Sequence, residues 1–300
     1  MDNLTVICPG FGEITSQNGK GPGAGGYRGY EHPIDGKIIK TLDSPAMRSV
    51  FRSITSMSAD TYYGQMIASA IPVDDDNFPE INALVDECAS ALGIRRPYVV
   101  ITASMTMNAF TVGNDEEPFI VLGSMLVRVM SPQQLKFVIG HECGHIAMGH
   151  LMWHTAATMA AQLASGAFGL GTIFAEAVSL ALNAWSRRSE ITADRAGFLC
   201  IGDAEAAKRA LIQLETGFID SSMINIDSYI NNSTRYRKGG LLRKVGEYKA
   251  NHPLISKRIE AIDAFAASEV YYRVTGQPYR KGCIREKDLN KQIEKLIAVV

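Results

Sequence analysis

The chain has 300 residues, 46% of them hydrophobic, with 30 Lys or Arg against 31 Asp or Glu and a formal net charge of −1. That length can bury a large core in one domain or two, and the balanced charge excludes a broad electrostatic drive toward nucleic acid or anionic lipid. Five scattered cysteines, an odd number, argue against a disulfide framework and for a reducing compartment.

The N-terminus MDNLTVICPGFGE lacks a basic stretch followed by a long apolar run, so no secretory signal is read there and a cytoplasmic protein is expected. Residues 9–29 are too rich in glycine to form a helix or strand cheaply, and no GxxxxGK[ST] pattern supports a nucleotide reading; a flexible arm or crossing loop is expected. Asp43 or Ser44 followed by Pro45 opens an amphipathic helix to about Ala70, with Met47, Val50, Phe51, Ile54 and Met57 as its core stripe. After a turn around Val73–Pro79, Glu80–Leu92 reads as a second helix ended by Gly93. Three short strands follow at Tyr98–Ala103, Ala109–Val112 and Phe119–Leu122. Gly123–Met130 leads into the next helix.

That helix, around FVIGHECGHIAMGHL at 137–151, carries the densest set of reactive residues in the chain. Ser131 reads as its N-cap, Pro132 as N1 and Gln134 as the third member of a capping box. His141 and His145 are four apart, so both imidazoles lie on one face, one turn apart, within reach of a single ion. Glu142 lies about 100° round the same helix. This is the HExxH arrangement, in which two imidazoles hold zinc and the glutamate takes a proton from water. Gly140 and Gly144, each about 1 kcal/mol worse than alanine in a helix, are expected to serve close packing, under the sheet that lines the cleft. Cys143 points away from the histidines and reads as core. His150 and His154 lie about 180° and 220° round a continuing helix from His141 and are expected to face away, which leaves zinc in need of a third protein ligand.

Residues 155–175 contain no charge and are long enough to span a bilayer once. A single span would set the two halves of the site on opposite sides of a membrane, and two spans need about 40 residues. A small-residue helical hairpin over 155–184, broken near Gly166, Gly169 and Gly171, is expected instead, with no membrane insertion; peripheral membrane or partner contact stays open for it. In WSRRSEITADRAG at 185–197, Glu190 and Asp194 are four apart. Either Glu190 enters the metal shell while Asp194 hydrogen-bonds the outer nitrogen of a ligating histidine, or both acids pair with Arg187, Arg188 and Arg195 in an exposed charged turn. Asp203 caps a helix through Leu214, Ser221–Tyr236 reads as another, and the basic stretch Arg235–Lys249 reads as a solvated loop. Pro253 starts the helix carrying Arg258 and Ile259. A final amphipathic helix with Leu289, Ile293, Leu296 and Ile297 suits docking on the body or on a second subunit.

HECGH at 141–145, SRRSEITADRAG at 186–197, MNAFTVG at 107–113 and HPLISKRI at 252–259 stand in an order that resembles the zinc peptidases related to HtpX and the CAAX prenyl protease. The resemblance covers roughly residues 75–270. It implies an α+β, mainly helical zincin-like fold with a small sheet beside the HExxH helix. It also implies Zn2+ held by His141, His145 and Glu190, with Glu142 as general base and Asp194 behind the ligands. Asn108, Ala109 and Phe110 would form the strand along which a peptide substrate lies, by strand addition. For His252 and Arg258 two roles stand side by side: a donor to the developing oxyanion, or a helix cap and a partner for a carboxylate near Asp194.

The expected organisation is an N-terminal arm and helix at 1–74, a metallopeptidase domain at 75–275 and a docking helix at 276–300. The expected activity is zinc-dependent hydrolysis of extended or unfolded protein segments. The competing reading is a catalytically quiet, zinc-stabilised interaction module that uses the apolar 155–184 hairpin, and oligomerisation through that hairpin or the C-terminal helix is left open. An intact Glu142 weighs against the module, since structural zinc needs no base.

Overall fold

The computed structural model describes residues 29–35, 37, 69–113, 118–151, 153, 172–237 and 253–298. The helix expected before Ala70, the glycine breaks of the hairpin, His154, His252 and most of the basic stretch lie outside these residues. The architecture is α+β: β1 (Ile71–Pro72), α1 (Pro79–Leu92), β2 (Tyr98–Thr102), β3 (Ala109–Gly113), β4 (Pro118–Gly123), α2 (Ser124–Val129), α3 (Pro132–Met148), α4 (Thr172–Ile201), α5 (Ala204–Thr216), α6 (Ile226–Arg237), α7 (Ile255–Ala266), α8 (Glu269–Thr275) and α9 (Glu286–Ile297). Among the described residues no helix is long and apolar enough to cross a membrane.

The sheet has the order β1-β2-β4-β3, with β2 and β4 parallel and the two outer strands antiparallel to their neighbours. Period-two alternation divides it into two faces. Val99, Ile101, Ile120 and Leu122 join the main core with the helices, while Val100, Phe119 and Val121 form a smaller cluster on the other face. Among the described residues β3 is an edge strand of this sheet, and its Thr111 reaches Glu142 of α3.

Local chemistry sets the helix ends. Ser131 and Gln134 form the reciprocal capping box at the start of α3, and Gly93 ends α1 in the left-handed conformation. Asp203 caps α5 by accepting from the Ala206 N–H. The expected 221–236 helix is split: a 3-10 turn at Ser221–Met223 precedes α6. The expected second arm of the hairpin and the acidic element are one continuous 30-residue helix, α4.

α3 and α4 pack closely through small residues. A Cβ on Gly140 would stand 2.8 Å from Cys200 Sγ, one on Gly144 would stand 2.6 Å from Ala196 Cβ, and one on Gly197 would stand 2.6 Å from the Phe137 carbonyl oxygen. The glycines of the HExxH helix thus seat it on α4 rather than under the sheet. The reason is spacing: Gly140 and Gly144 form one four-residue row, and Ala193, Ala196, Gly197 and Cys200 form the facing one. Leu289, Ile293 and Ile297 of α9 and Tyr30 from the N-terminal segment are buried in the same main core, so the C-terminal helix docks on the body.

Candidate metal centre

The shared spacing of α3 and α4 brings His141, His145 and Glu190 together, all buried. His141 Nε2 stands 3.1 Å from His145 Nε2, and the Glu190 oxygens lie 3.6 and 3.5 Å from these two nitrogens. Two donors held at 2.0–2.1 Å from one ion at the tetrahedral angle stand about 3.3–3.4 Å apart, so the triangle has the size of a zinc site. Its chemistry fits as well. Each outer imidazole nitrogen is bonded elsewhere, which turns the two Nε2 lone pairs and a carboxylate oxygen toward one point, and buried acceptors converging on one another call for a cation.

His141 Nδ1 is 3.0 Å from Asp194 Oδ1. Asp194 in turn receives Arg258 through Nε at 2.7 Å and a terminal nitrogen at 2.6 Å, and the other terminal nitrogen of Arg258 is 3.3 Å from Glu190. Burial would raise the Asp194 pKa, but Arg258 and His141 outweigh it and hold the carboxyl below its ordinary range. Burial likewise disfavours the charged form of His141, yet Asp194 and Glu190 raise its pKa overall; for His145, burial and the neighbouring histidines win against Glu190 and lower it. The guanidinium of Arg258 is therefore turned onto the two acids, the geometry of a carboxylate partner. Glu190 and Asp194 lie in the buried interface of α4, not on an exposed charged turn.

Glu142 is buried and accepts a hydrogen bond from the Thr111 hydroxyl. Thr111 lies on β3 with Ala109 on the same face, two residues apart. The Asn108 carbonyl accepts from the Gly123 N–H of β4. By alternation the backbone groups of Ala109 and Thr111 point to the outer edge of the sheet, which no other strand pairs with among the described residues.

One expectation is corrected. His150 does not face away: its Nδ1 is 2.9 Å from His145 Nδ1. α3 stops at Met148, and Gly149 takes a left-handed φ of 67° while its N–H bonds back to the His145 and Ile146 carbonyls. The 100° per residue count ceases to apply at that cap, and the chain folds His150 back over the last turn. Behind it, His150 Nε2 lies 3.0 Å from Asp35 Oδ2, and Trp185 donates its indole N–H to Asp35 Oδ1 at 2.8 Å. Sequence reasoning missed Thr111, His150, Asp35 and Trp185. Only Thr111 had a local signal, its alternation with Ala109.

The model of peptidase family M48 matches residues 75–266. The chain is similar to the plastoglobule-localized metallopeptidase 48, chloroplastic, of Arabidopsis thaliana, with 25% identity over 270 residues that cover 86% of this chain and 78% of the relative. A protease HtpX homolog of Gemmatimonas aurantiaca is 26% identical over 264 residues, covering 77% and 90%. A protease HtpX homolog of Thermococcus kodakarensis is 33% identical over 170 residues, covering 48% and 59%.

Proposed function

Since the chain belongs to peptidase family M48 and is a metalloprotease, we propose that its metal is zinc, held by His141, His145 and Glu190, and that it cleaves extended or unfolded protein segments with Glu142 as general base. The observation that carries this reading is the position of Glu142. It stands one residue from a proposed ligand and is tied through Thr111 to the outer edge of the sheet, which no other strand among the described residues pairs with. Neither packing nor coordination explains an acid there.

Bound zinc supplies Lewis acidity, which acidifies water and polarises a peptide carbonyl. Glu142 accepts the proton of the attacking water and returns it to the leaving amine. Thr111 aims the Glu142 carboxylate and links it to the strand beside which the scissile peptide lies. The substrate backbone pairs with the outward N–H and C=O groups of Ala109 and Thr111, within the 108–113 strand, so recognition rests on main chain more than on side chains. Arg258 balances the buried charges of Asp194 and Glu190 and orients them; we assign it no contact with the oxyanion. His252 lies outside the described residues and stays a candidate donor on sequence grounds. The cytoplasmic setting expected from the sequence stays part of this proposal.

Purified protein should hold about one zinc per chain and cleave unfolded casein in a chelator-sensitive way. Glu142→Gln should keep its zinc and lose about 100-fold or more in turnover, the scale of a lost general base. Wild-type turnover in the zinc-loaded glutamine variant would remove Glu142 from the mechanism.

A further inference from the structure

We propose that Asp35 and His150 are positioning residues for His145: a buried relay, begun in the segment N-terminal to the family-matched region, that sets which nitrogen of His145 is free to bind the metal. This rests on the reading of His145 as a ligand.

The relay runs from Asp35 to His150 Nε2 and from His150 Nδ1 to His145 Nδ1, at 3.0 and 2.9 Å. Asp35, His150, Trp185 and Thr192 are each no more than 1% exposed. Trp185 donates its indole N–H to the Asp35 carboxylate, and although burial would raise the Asp35 pKa, the His150 ring and the side chains of Thr192 and Trp185 beside it hold it below its ordinary range. With both imidazoles neutral, the form in which His145 Nε2 can bind a metal, the proton assignment has one solution. An ionised carboxylate only accepts, so His150 Nε2 carries a hydrogen and donates it to Asp35. In neutral His150 the Nδ1 is then a lone pair, and it needs a donor. His145 Nδ1 supplies that hydrogen, which leaves His145 Nε2 as the lone pair facing His141 Nε2 and Glu190.

The two histidines of the site are thus held differently. His141 donates directly to Asp194, itself clamped by Arg258. His145 donates to a neutral imidazole whose orientation is decided 115 residues earlier in the chain, at Asp35. A histidine ligand whose outer N–H lacks its partner loses a preferred tautomer and part of its basicity.

Asparagine and glutamine separate this role from plain packing, because the asparagine oxygen occupies the place of a histidine Nδ1 and the glutamine amide that of Nε2. His150→Asn keeps an acceptor for His145 and gives up Asp35. His150→Gln keeps a group toward Asp35 and gives up His145. The test is the zinc dissociation constant, by competition with a chromophoric chelator, with the fold of each metal-free variant checked by circular dichroism. His150→Gln is expected to weaken zinc binding about 10–100-fold, the range for a lost partner of a metal-bound histidine, and His150→Asn to stay within a few-fold of wild type. Asp35→Asn, which can donate to His150 and so reverse both tautomers, should behave like His150→Gln. Equal zinc affinity of the two His150 variants, or wild-type affinity of His150→Gln, overturns the relay. Should a variant not fold, nitrogen-15 NMR of histidine-labelled, metal-free wild type decides: His150 must carry its hydrogen on Nε2 and His145 on Nδ1, and the opposite tautomers overturn the proposal. His145→Ala serves as the control for the underlying reading. If it binds zinc normally the ligand assignment fails, whereas its loss of zinc beside an unaffected His150→Gln sinks the relay alone.

Discussion

Replacing Gly144 by alanine should damage the metal centre without touching a ligand. The new Cβ would stand 2.6 Å from Ala196 Cβ and 3.2 Å from Ala193 Cα. Carbon atoms rest at about 3.5–4.0 Å, so α3 and α4 must part by roughly 1 Å at this level. His145 is the next residue on α3, and Glu190 lies one turn before Asp194 on α4. Their contact of 3.5 Å would open to about 4.5 Å, beyond the roughly 4.2 Å that two donors at 2.0–2.1 Å can span even in a straight line. The metal-free protein should suffer less. Overpacking costs about 1–3 kcal/mol, and exchanging glycine for alanine in a helix returns about 1 kcal/mol, so a net loss of about 0–2 kcal/mol is expected. Zinc affinity should fall about 100-fold or more, which at saturating metal removes a further ~2.7 kcal/mol of apparent stability. Thermal unfolding with chelator and with zinc, together with chelator competition, measures both parts. Gly217→Ala is the control: it has a φ of 66° and nothing within 4 Å of a new Cβ, so it should cost about 1 kcal/mol through backbone strain and leave zinc binding unchanged. A Gly144→Ala protein with wild-type zinc affinity would refute the close-packing argument.

Arg258→Met leaves Asp194 buried with its charge uncompensated on that side, and urea unfolding of the metal-free protein should show a loss of about 3–5 kcal/mol; a loss under 1 kcal/mol would mean that the pair is not structural. His32 is 1% exposed, its Nδ1 accepts from the Ile34 N–H, and burial together with Arg195 and Arg188, against the opposing pull of Glu294 and Asp35, lowers its pKa from 6.5 to about 4. Between those values the unfolded chain binds the extra proton, so His32 contributes stability that is complete above pH 6.5 and is lost as the pH falls toward 4. The loss is about 3 kcal/mol, and His32→Asn, which keeps an acceptor for Ile34, should flatten that part of the stability profile; an unchanged slope from pH 6.5 to 4 would exclude His32 as its source.

Much of this protein follows from local rules and is therefore legible in its linear sequence. Ser131, Pro132 and Gln134 start α3 by satisfying their own backbone groups, and the four-residue spacings of His141 with His145 and of Glu190 with Asp194 put each pair on one helix face. The strands at 98–102, 109–113 and 118–123 announce themselves as short runs rich in β-branched and aromatic residues with turns between them. What only the tertiary structure decided is which distant groups meet. Spacing predicted that Gly140 and Gly144 serve packing, but not that their partner is the helix bearing Glu190, since a bare helix face fits a sheet or a helix equally well until the rest of the core is in place. His150 was misjudged because a helical count assumes that the helix goes on, whereas the left-handed Gly149 ends it and turns the imidazole back. Asp35 carries no local mark at all. It becomes part of the centre only because folding sets its buried, ionised carboxylate beside His150 and Trp185, and that pairing is a property of the folded interior rather than of any stretch of chain.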